Sequence, residues 1–310
     1  MKNQENPANR DSGVYYITIM LPLESAIYKS YLETAAPNLL KPKGDPWKVE
    51  IDTLLKHYGS FLLDGWGTLY SKDNFVYPGA LEFMAALRKA NKNIRLITNS
   101  ASRTIKQIQD DLRLSGLDFE AYEIISSGSL LTALSGTIDL REVYYLGGEN
   151  GLKFLEEAKI QVSENPSEPI VILAGIHPTQ KEIDRACKIL SRENSSVLVL
   201  NPDVYAPNPD GEKIPVTGHI AHSLKEKTGC KLLFCGKPFP LIYQIALRSL
   251  IPSTESVIMI GDTLGTDIAG ANIAGIDSAL VVGRNVKENE LRDDIYSLGV
   301  SPTYVLHGFD

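Results

Sequence analysis

Short apolar runs alternate with amphipathic helical segments over most of this chain, and several runs end abruptly on a polar residue. "SFLLD" ends on Asp64, "NIRLITN" on Thr98 and Asn99, and "SVIMIGD" on Gly261 and Asp262, while Lys237 follows "KLLFCG". Such alternation predicts an α/β fold with a parallel sheet. The carboxyl ends of parallel strands share one edge, and ligands bind along it. One aspartate after a strand is usually a cap or turn residue. Four tips carrying a carboxylate, a hydroxyl, a lysine and a second carboxylate point to a single site.

The helical segments carry their own signals. "PGALEFMAALRKANK" opens on Pro78 and sets Leu81, Met84 and Leu87 on one face. "SRTIKQIQDDLRLSG" turns Ile105, Ile108 and Leu112 inward and stops at Gly116. "PFPLIYQIALRSL" is a further Pro-started helix, and another spans about Leu264 to Ala274, between "SVIMIGD" and "SALVVG". "YEIISS" and "EVYYLGG" read as strands. "PIVILAG", "TQKEIDRACKILSRE", "SVLVLNP" and "TGHIAHSLKEKTG" form a second strand–helix series, long enough for a small domain. The expected organisation is an N-terminal arm and linker over 1–47, a core over 48–135 and 236–310, and an insertion over 136–235. Within the arm, residues 1–13 are polar and read as mobile, "ESAIYKSYLETAAPNLL" as a helix stopped by Pro37, and 41–47 as a linker. The arm is expected to pack on the domain behind it.

The net charge of −7 argues against nucleic acid or an anionic membrane as partner. Three cysteines without CxxC spacing suit a reducing cytoplasm. "VYYITIMLPL" is too short to span a bilayer and lacks the basic leader of a signal peptide. His57, His177, His219, His222 and His307 show no metal-ligand spacing and read as structural or surface residues.

Phosphoryl transfer through an aspartyl-phosphate fits the four tips. A carboxylate can attack phosphorus and divide one difficult displacement into two easier ones. Two carboxylates facing a phosphate dianion need a cation, and Mg²⁺ is held by carboxylates and phosphate oxygens. Asp64 and Asp262 are the candidate pair. Thr98, helped by Asn99, would donate to a phosphate oxygen, and Lys237 would neutralise charge on the nucleophile and in the transition state. Backbone N–H groups of Gly65, Trp66 and Gly67 could form an anion nest. Asp267 reads equally as a helix cap or as support behind the metal.

"LLDGWGTL", "LITNSASRT", "GKPFP" and "VIMIGDTLGTDIAGAN" resemble, in order, the four motifs of the haloacid dehalogenase superfamily. The nearest resemblance is to its NagD-like subfamily IIA, which includes sugar-phosphate and p-nitrophenyl-phosphate phosphatases. It implies a Rossmann-like core with a parallel sheet, an inserted α/β cap of type C2, Mg²⁺, and a small phosphorylated metabolite as substrate. It also implies metal ligation by the Trp66 backbone carbonyl, and a homodimer through the cap. About nine residues separate Leu69 from Gly79, and about 138 separate Asn99 from Lys237, so a large cap fits only the second interval. Within it, "NPDVYAPNPDGEKIPVTG" resembles the subfamily's substrate-facing stretch, implying that Asn201 and Asp203 govern specificity. A loop rich in Pro, Asn and Asp for turn reasons alone is the competing reading.

Trp66 departs from the family pattern. Most phosphatases of the superfamily carry a second aspartate there, which protonates the leaving group and then activates water. Indole is a donor only and cannot replace it. A slow phosphatase, or one that prefers good leaving groups or recruits Asp203 as acid, is one expectation. A metal-independent dehalogenase and a non-catalytic phosphate-ligand binder are the alternatives.

Overall fold

The computed structural model describes residues 23–36, 44–137, 140–174, 178–207, 213–250 and 256–309. Expectations for residues 1–13, for all but the last residue of "VYYITIMLPL", for Pro37, for His177 and for the Gly-containing turn at 208–212 lie outside them.

The core strands are Trp47–Lys48 (β1), Ser60–Leu63 (β2), Asn93–Thr98 (β3) and Ile124–Ser126 (β4). The chain then builds Glu142–Leu146 (β5), Gln161–Val162 (β6), Ile170–Leu173 (β7), Ser196–Val199 (β8), Tyr205–Pro207 (β9), Lys213–Pro215 (β10) and Lys231–Phe234 (β11). It returns with Val257–Gly261 (β12), Asp277–Val281 (β13) and Tyr304–Leu306 (β14). One seven-stranded sheet runs β1-β14-β13-β12-β2-β3-β4, and a separate five-stranded sheet runs β11-β8-β7-β5-β6. Every pairing in both is parallel. A short antiparallel ribbon joins β9 and β10.

The central strands are apolar on both faces, as a parallel sheet covered by helices requires. Phe61 and Leu63 of β2 join Ile94, Leu96, Ile258 and Ile260 in one buried cluster under the helices Ala80–Lys89 and Ile105–Leu114. Leu62, Ile97 and Met259 point the other way, against Ile242, Tyr243 and Ala246 of the helix Pro240–Arg248. This period of two, with Leu63 opposite both Leu96 and Ile260, brings the residues after β2, β3 and β12 out at the same edge.

Three expectations change. The polar tips count Lys237 with the ends of the core strands, whereas the 136–235 bounds put β11 in the insertion. β11 pairs with β8 at the edge of the five-stranded sheet, so Lys237 enters the site from outside the sheet that carries Asp64. An apolar run does not encode which sheet it joins. The linker read over 41–47 ends in strand structure, because Trp47 and Lys48 pair with Tyr304 and Val305. Leu81 is 43% exposed, and the inward face of its helix is Ala80, Phe83, Met84 and Leu87. Leu87→Ala should therefore cost about 2–5 kcal/mol, and Leu81→Ala no more than about 0.5 kcal/mol, as read by urea unfolding of the two variants.

Candidate active site

The site begins at the end of β2. The Asp64 N–H donates to Ile260 C=O (2.9 Å), which holds the residue in strand register past the last sheet pair. Asp64 Oδ2 accepts from Thr68 Oγ1 at 3.0 Å, and Oδ1 accepts from Lys237 Nζ at 2.5 Å. Between them the chain turns tightly, the Gly67 N–H donating to Tyr70 C=O (2.8 Å). Gly67 has φ +85°, and a Cβ there would stand 2.2 Å from Asp262 Oδ2. Only glycine lets this turn close against the second carboxylate.

Asp262 leaves β12 beside Asp64. Its carboxylate accepts from Thr263 Oγ1 (3.1 Å) and Asn285 Nδ2 (2.9 Å). Asp267 lies inside a π-helical turn, Leu264–Ile268, that precedes the helix Ala269–Ala274. Its Oδ1 accepts from Lys237 Nζ (2.7 Å) and its Oδ2 from the Thr263 N–H (3.1 Å). One oxygen satisfies a backbone donor at the helix entry, as a cap residue would, and the other pairs the lysine.

Lys237 is buried. Burial opposes its charge, but Asp267 and Asp64 outweigh that and hold its pKa above the ordinary lysine value. The carboxylates show the opposite strain. Burial, then Asp64 and Asp267, raises Asp262 well above the usual carboxylate range. Burial pushes Asp267 up to about 7 even though Lys237 opposes the shift. Oxygens of Asp64, Asp262 and Asp267 lie within 4.8 Å of one another. Three buried carboxylates against one ammonium fit a hard divalent cation with oxygen ligands.

Asn99 differs from its expected role as a phosphate donor. Its Oδ1 accepts from the Lys237 N–H (2.6 Å), and its Nδ2 donates to Lys237 C=O (3.0 Å) and to Asp203 Oδ1 (2.8 Å). The side chain clamps the lysine's backbone and ties the inserted region to the core. Thr98 Oγ1 accepts from the Ser100 N–H (3.3 Å). Asn201 accepts from the Asp203 N–H (2.8 Å), a turn contact that aims the Asp203 backbone.

These groups open into a cavity of about 610 Å³. Asp64, Trp66, Thr98, Asn99, Asn201, Asp203, Lys237, Asp262 and Asp267 all line it, whereas Gly65 and Gly67 stay in the turn behind. Trp66 is 45% exposed and stands edge-on to Tyr70, ring centroids 5.9 Å apart. Burial, with Asp64 adding to it, pushes the Tyr70 phenol up to about 12. Thr68 and Asn285 position the carboxylates and were not singled out in the sequence. Thr68 lies within "LLDGWGTL", and Asn285 soon follows the strand of "SALVVG", so the polar-tip pattern could have found it.

This is a capped parallel α/β scaffold with a carboxylate–lysine centre at the strand ends. Residues 61–161 match the family of haloacid dehalogenase-like hydrolases, and residues 234–310 match the HAD-hydrolase-like family. The chain is 27% identical over 233 residues to a dihydroxyacetone phosphatase of Corynebacterium glutamicum, covering 75% of this chain and 84% of that protein. It is 29% identical over 252 residues to an acid sugar phosphatase of Staphylococcus epidermidis, covering 81% and 95%. The crystal structure of a 4-nitrophenylphosphatase from Thermotoga maritima superposes with a TM-score of 0.72 at 26% identity, covering 83% of this chain and 96% of that one. The chain belongs to the haloacid dehalogenase superfamily, in its NagD-like subfamily IIA.

The raised carboxylates set a pH-dependence. Without a bound cation the folded protein holds protons on Asp267 (about 7 against an ordinary 3.8) that the unfolded chain has already released. Its stability therefore falls as pH rises through that window. Cation binding needs the deprotonated groups and should strengthen over the same window. Added Mg²⁺ should stabilise the protein by about 2.7 kcal/mol at a hundredfold excess over Kd. In thermal-shift scans the gain at fixed Mg²⁺ should be larger at about pH 8 than at about pH 5.5. Asp262→Asn should lose most of it.

Proposed function

We propose that this protein is a Mg²⁺-dependent phosphatase of small phosphomonoesters that works through an aspartyl-phosphate on Asp64. One observation carries this: three buried carboxylates and a buried lysine converge where the strands end, in a cavity large enough for a small metabolite. The names of the relatives, which act on dihydroxyacetone phosphate, sugar phosphates or 4-nitrophenyl phosphate, support the same class.

Asp64, Asp262 and the Trp66 backbone carbonyl would hold the cation, with Asp267 behind them. When bound, it offsets the charge of the phosphate oxygens. Thr98 and the Trp66 N–H would receive the remaining oxygens; Gly65 and Gly67, expected to share in that nest, lie behind the cavity, and the Gly67 N–H is taken by Tyr70 C=O. An Asp64 oxygen forms the new bond to phosphorus as the ester P–O bond breaks, and the leaving oxygen keeps the electron pair. Water then attacks phosphorus, releases inorganic phosphate and restores the carboxylate. Lys237 and Thr68 orient Asp64 throughout.

No titratable side chain stands at position 66 to protonate the leaving oxygen. Asp203, held in the cavity by Asn99, is the residue best placed to substitute. Trp66 also favours a second reading, a relative that binds phosphate ligands without turnover. A cytoplasmic location, supported by the unpaired Cys187, Cys230 and Cys235, belongs to the proposal. No helix among the described residues is long and apolar enough to cross a membrane. So does a homodimer through the cap, supported by Leu233, 43% exposed on edge strand β11.

Purified protein with Mg²⁺ should release phosphate from 4-nitrophenyl phosphate, and Asp64→Asn should abolish it. The rate should fall steeply from aryl to alkyl phosphates, because general acid catalysis is worth about 10²–10⁴-fold and alkyl leaving groups need it most. Trp66→Asp should recover part of that factor on alkyl esters while changing aryl esters little. No turnover on a broad ester panel, with vanadate still bound, would establish the binder instead.

A further inference from the structure

The helix Leu23–Ala35 lies outside both matched family regions, which begin at residue 61. Its Ile27, Tyr28, Tyr31 and Leu32 are all buried. They do not rest on one sheet. Their cluster contains Leu264, Ile268, Val286 and Leu298 of the core together with Val204, and Phe234 of the cap sheet packs against it. The helix therefore wedges into the seam between core and insertion.

Two phenols complete the wedge. Tyr31 donates its hydroxyl to Gly218 C=O at 2.6 Å, and its ring centroid lies 4.5 Å from that of Phe234. The Tyr28 hydroxyl accepts from the Val204 N–H at 3.3 Å. The Tyr28 ring covers Gly265 so closely that a Cβ there would stand 3.0–3.2 Å from three ring carbons. Val204 follows Asp203, the cap residue held by Asn99. Gly265 sits in the turn between Asp262 and Asp267. One side chain thus touches both the loop facing the substrate and the loop carrying the carboxylates, and it lines the same cavity as Asp64.

We propose that Tyr28 is a specificity-determining residue: its ring walls the cavity, and its hydroxyl, with Tyr31, pins the Asp203 segment of the cap over the phosphate site. The inserted region is already joined to the core by its two chain crossings and by the Asn99–Asp203 hydrogen bond, and the helix adds a further attachment on the other side of Asp203. The assignment rests on the phosphatase reading for the nature of the cavity, but the attachment itself does not.

Both parts can be tested in the full-length protein. In Tyr28→Phe the ring remains and the acceptor is lost. The Val204 amide should then exchange with deuterium about three- to tenfold faster, with amides of β7 and β8 unaltered. In Tyr28→Ala the wall opens. KM for dihydroxyacetone phosphate should rise about tenfold against a fall in kcat of about twofold, with a smaller KM change on the bulkier 4-nitrophenyl phosphate, and Tyr28→Phe should retain most of the wild-type KM. Unaltered Val204 exchange in Tyr28→Phe, or faster exchange across the whole cap, overturns the attachment. Equal kinetic losses on both substrates in Tyr28→Ala overturn the specificity role. A wild-type protein without turnover overturns the phosphatase reading alone, because the exchange measurement needs no substrate.

Discussion

A lysine ammonium buried between two carboxylates is the contact on which the rest of this site depends. Lys237 Nζ lies 2.5 Å from Asp64 and 2.7 Å from Asp267, with its side chain only 3% exposed. A buried charge of this kind is tolerable only when its partners are close and held in place, and loss of one partner strands the other. The surrounding structure supplies that restraint. β2 and β12 set Asp64 and Asp262 side by side, the Leu264–Ile268 turn brings Asp267 back under them, and Asn99 grips the lysine's own backbone. The excess of negative charge left over suits a cation, which on the proposed reading would let a phosphate approach.

The same clamp joins the two halves of the molecule. Asn99 leaves the central sheet, yet its amide nitrogen also reaches Asp203 of the inserted region. The residue that fixes the lysine therefore also fixes Asp203, which lines the same cavity as Trp66. Trp66 and Tyr70 form an aromatic edge beside the nucleophile in place of a second carboxylate. On the proposed reading the centre would bind and attack phosphate with no acid at position 66, leaving Asp203 to aid the leaving group.

Much of this was legible in the chain. Periodicity placed the core strands β2, β3, β12 and β13 and most of the helices, because buried parallel strands must be apolar on both faces. The polar tips Asp64, Thr98, Asn99, Lys237 and Asp262 were visible for the same reason, each being an abrupt exception to an apolar run. The less legible elements are short or held by partners remote in sequence. β1 and β14 are two and three residues long and exist through their pairing with each other and with β13. Thr68 and Asn285 look like ordinary turn residues until their carboxylate partners arrive.

The sequence by itself determined the class of fold and the sheet edge where the polar tips gather, since these follow from residue types and spacing along the chain; that Trp66 stands where an acid is usual came only from the family resemblance. Tertiary structure decided which sheet β11 joins, that Asn99 clamps Lys237 and Asp203, and that Tyr28 reaches both cap and core. Those contacts join residues up to 237 positions apart, as Tyr28 and Gly265 are. Their partners are chosen by packing and by the pairing of buried charge, and no local pattern records either.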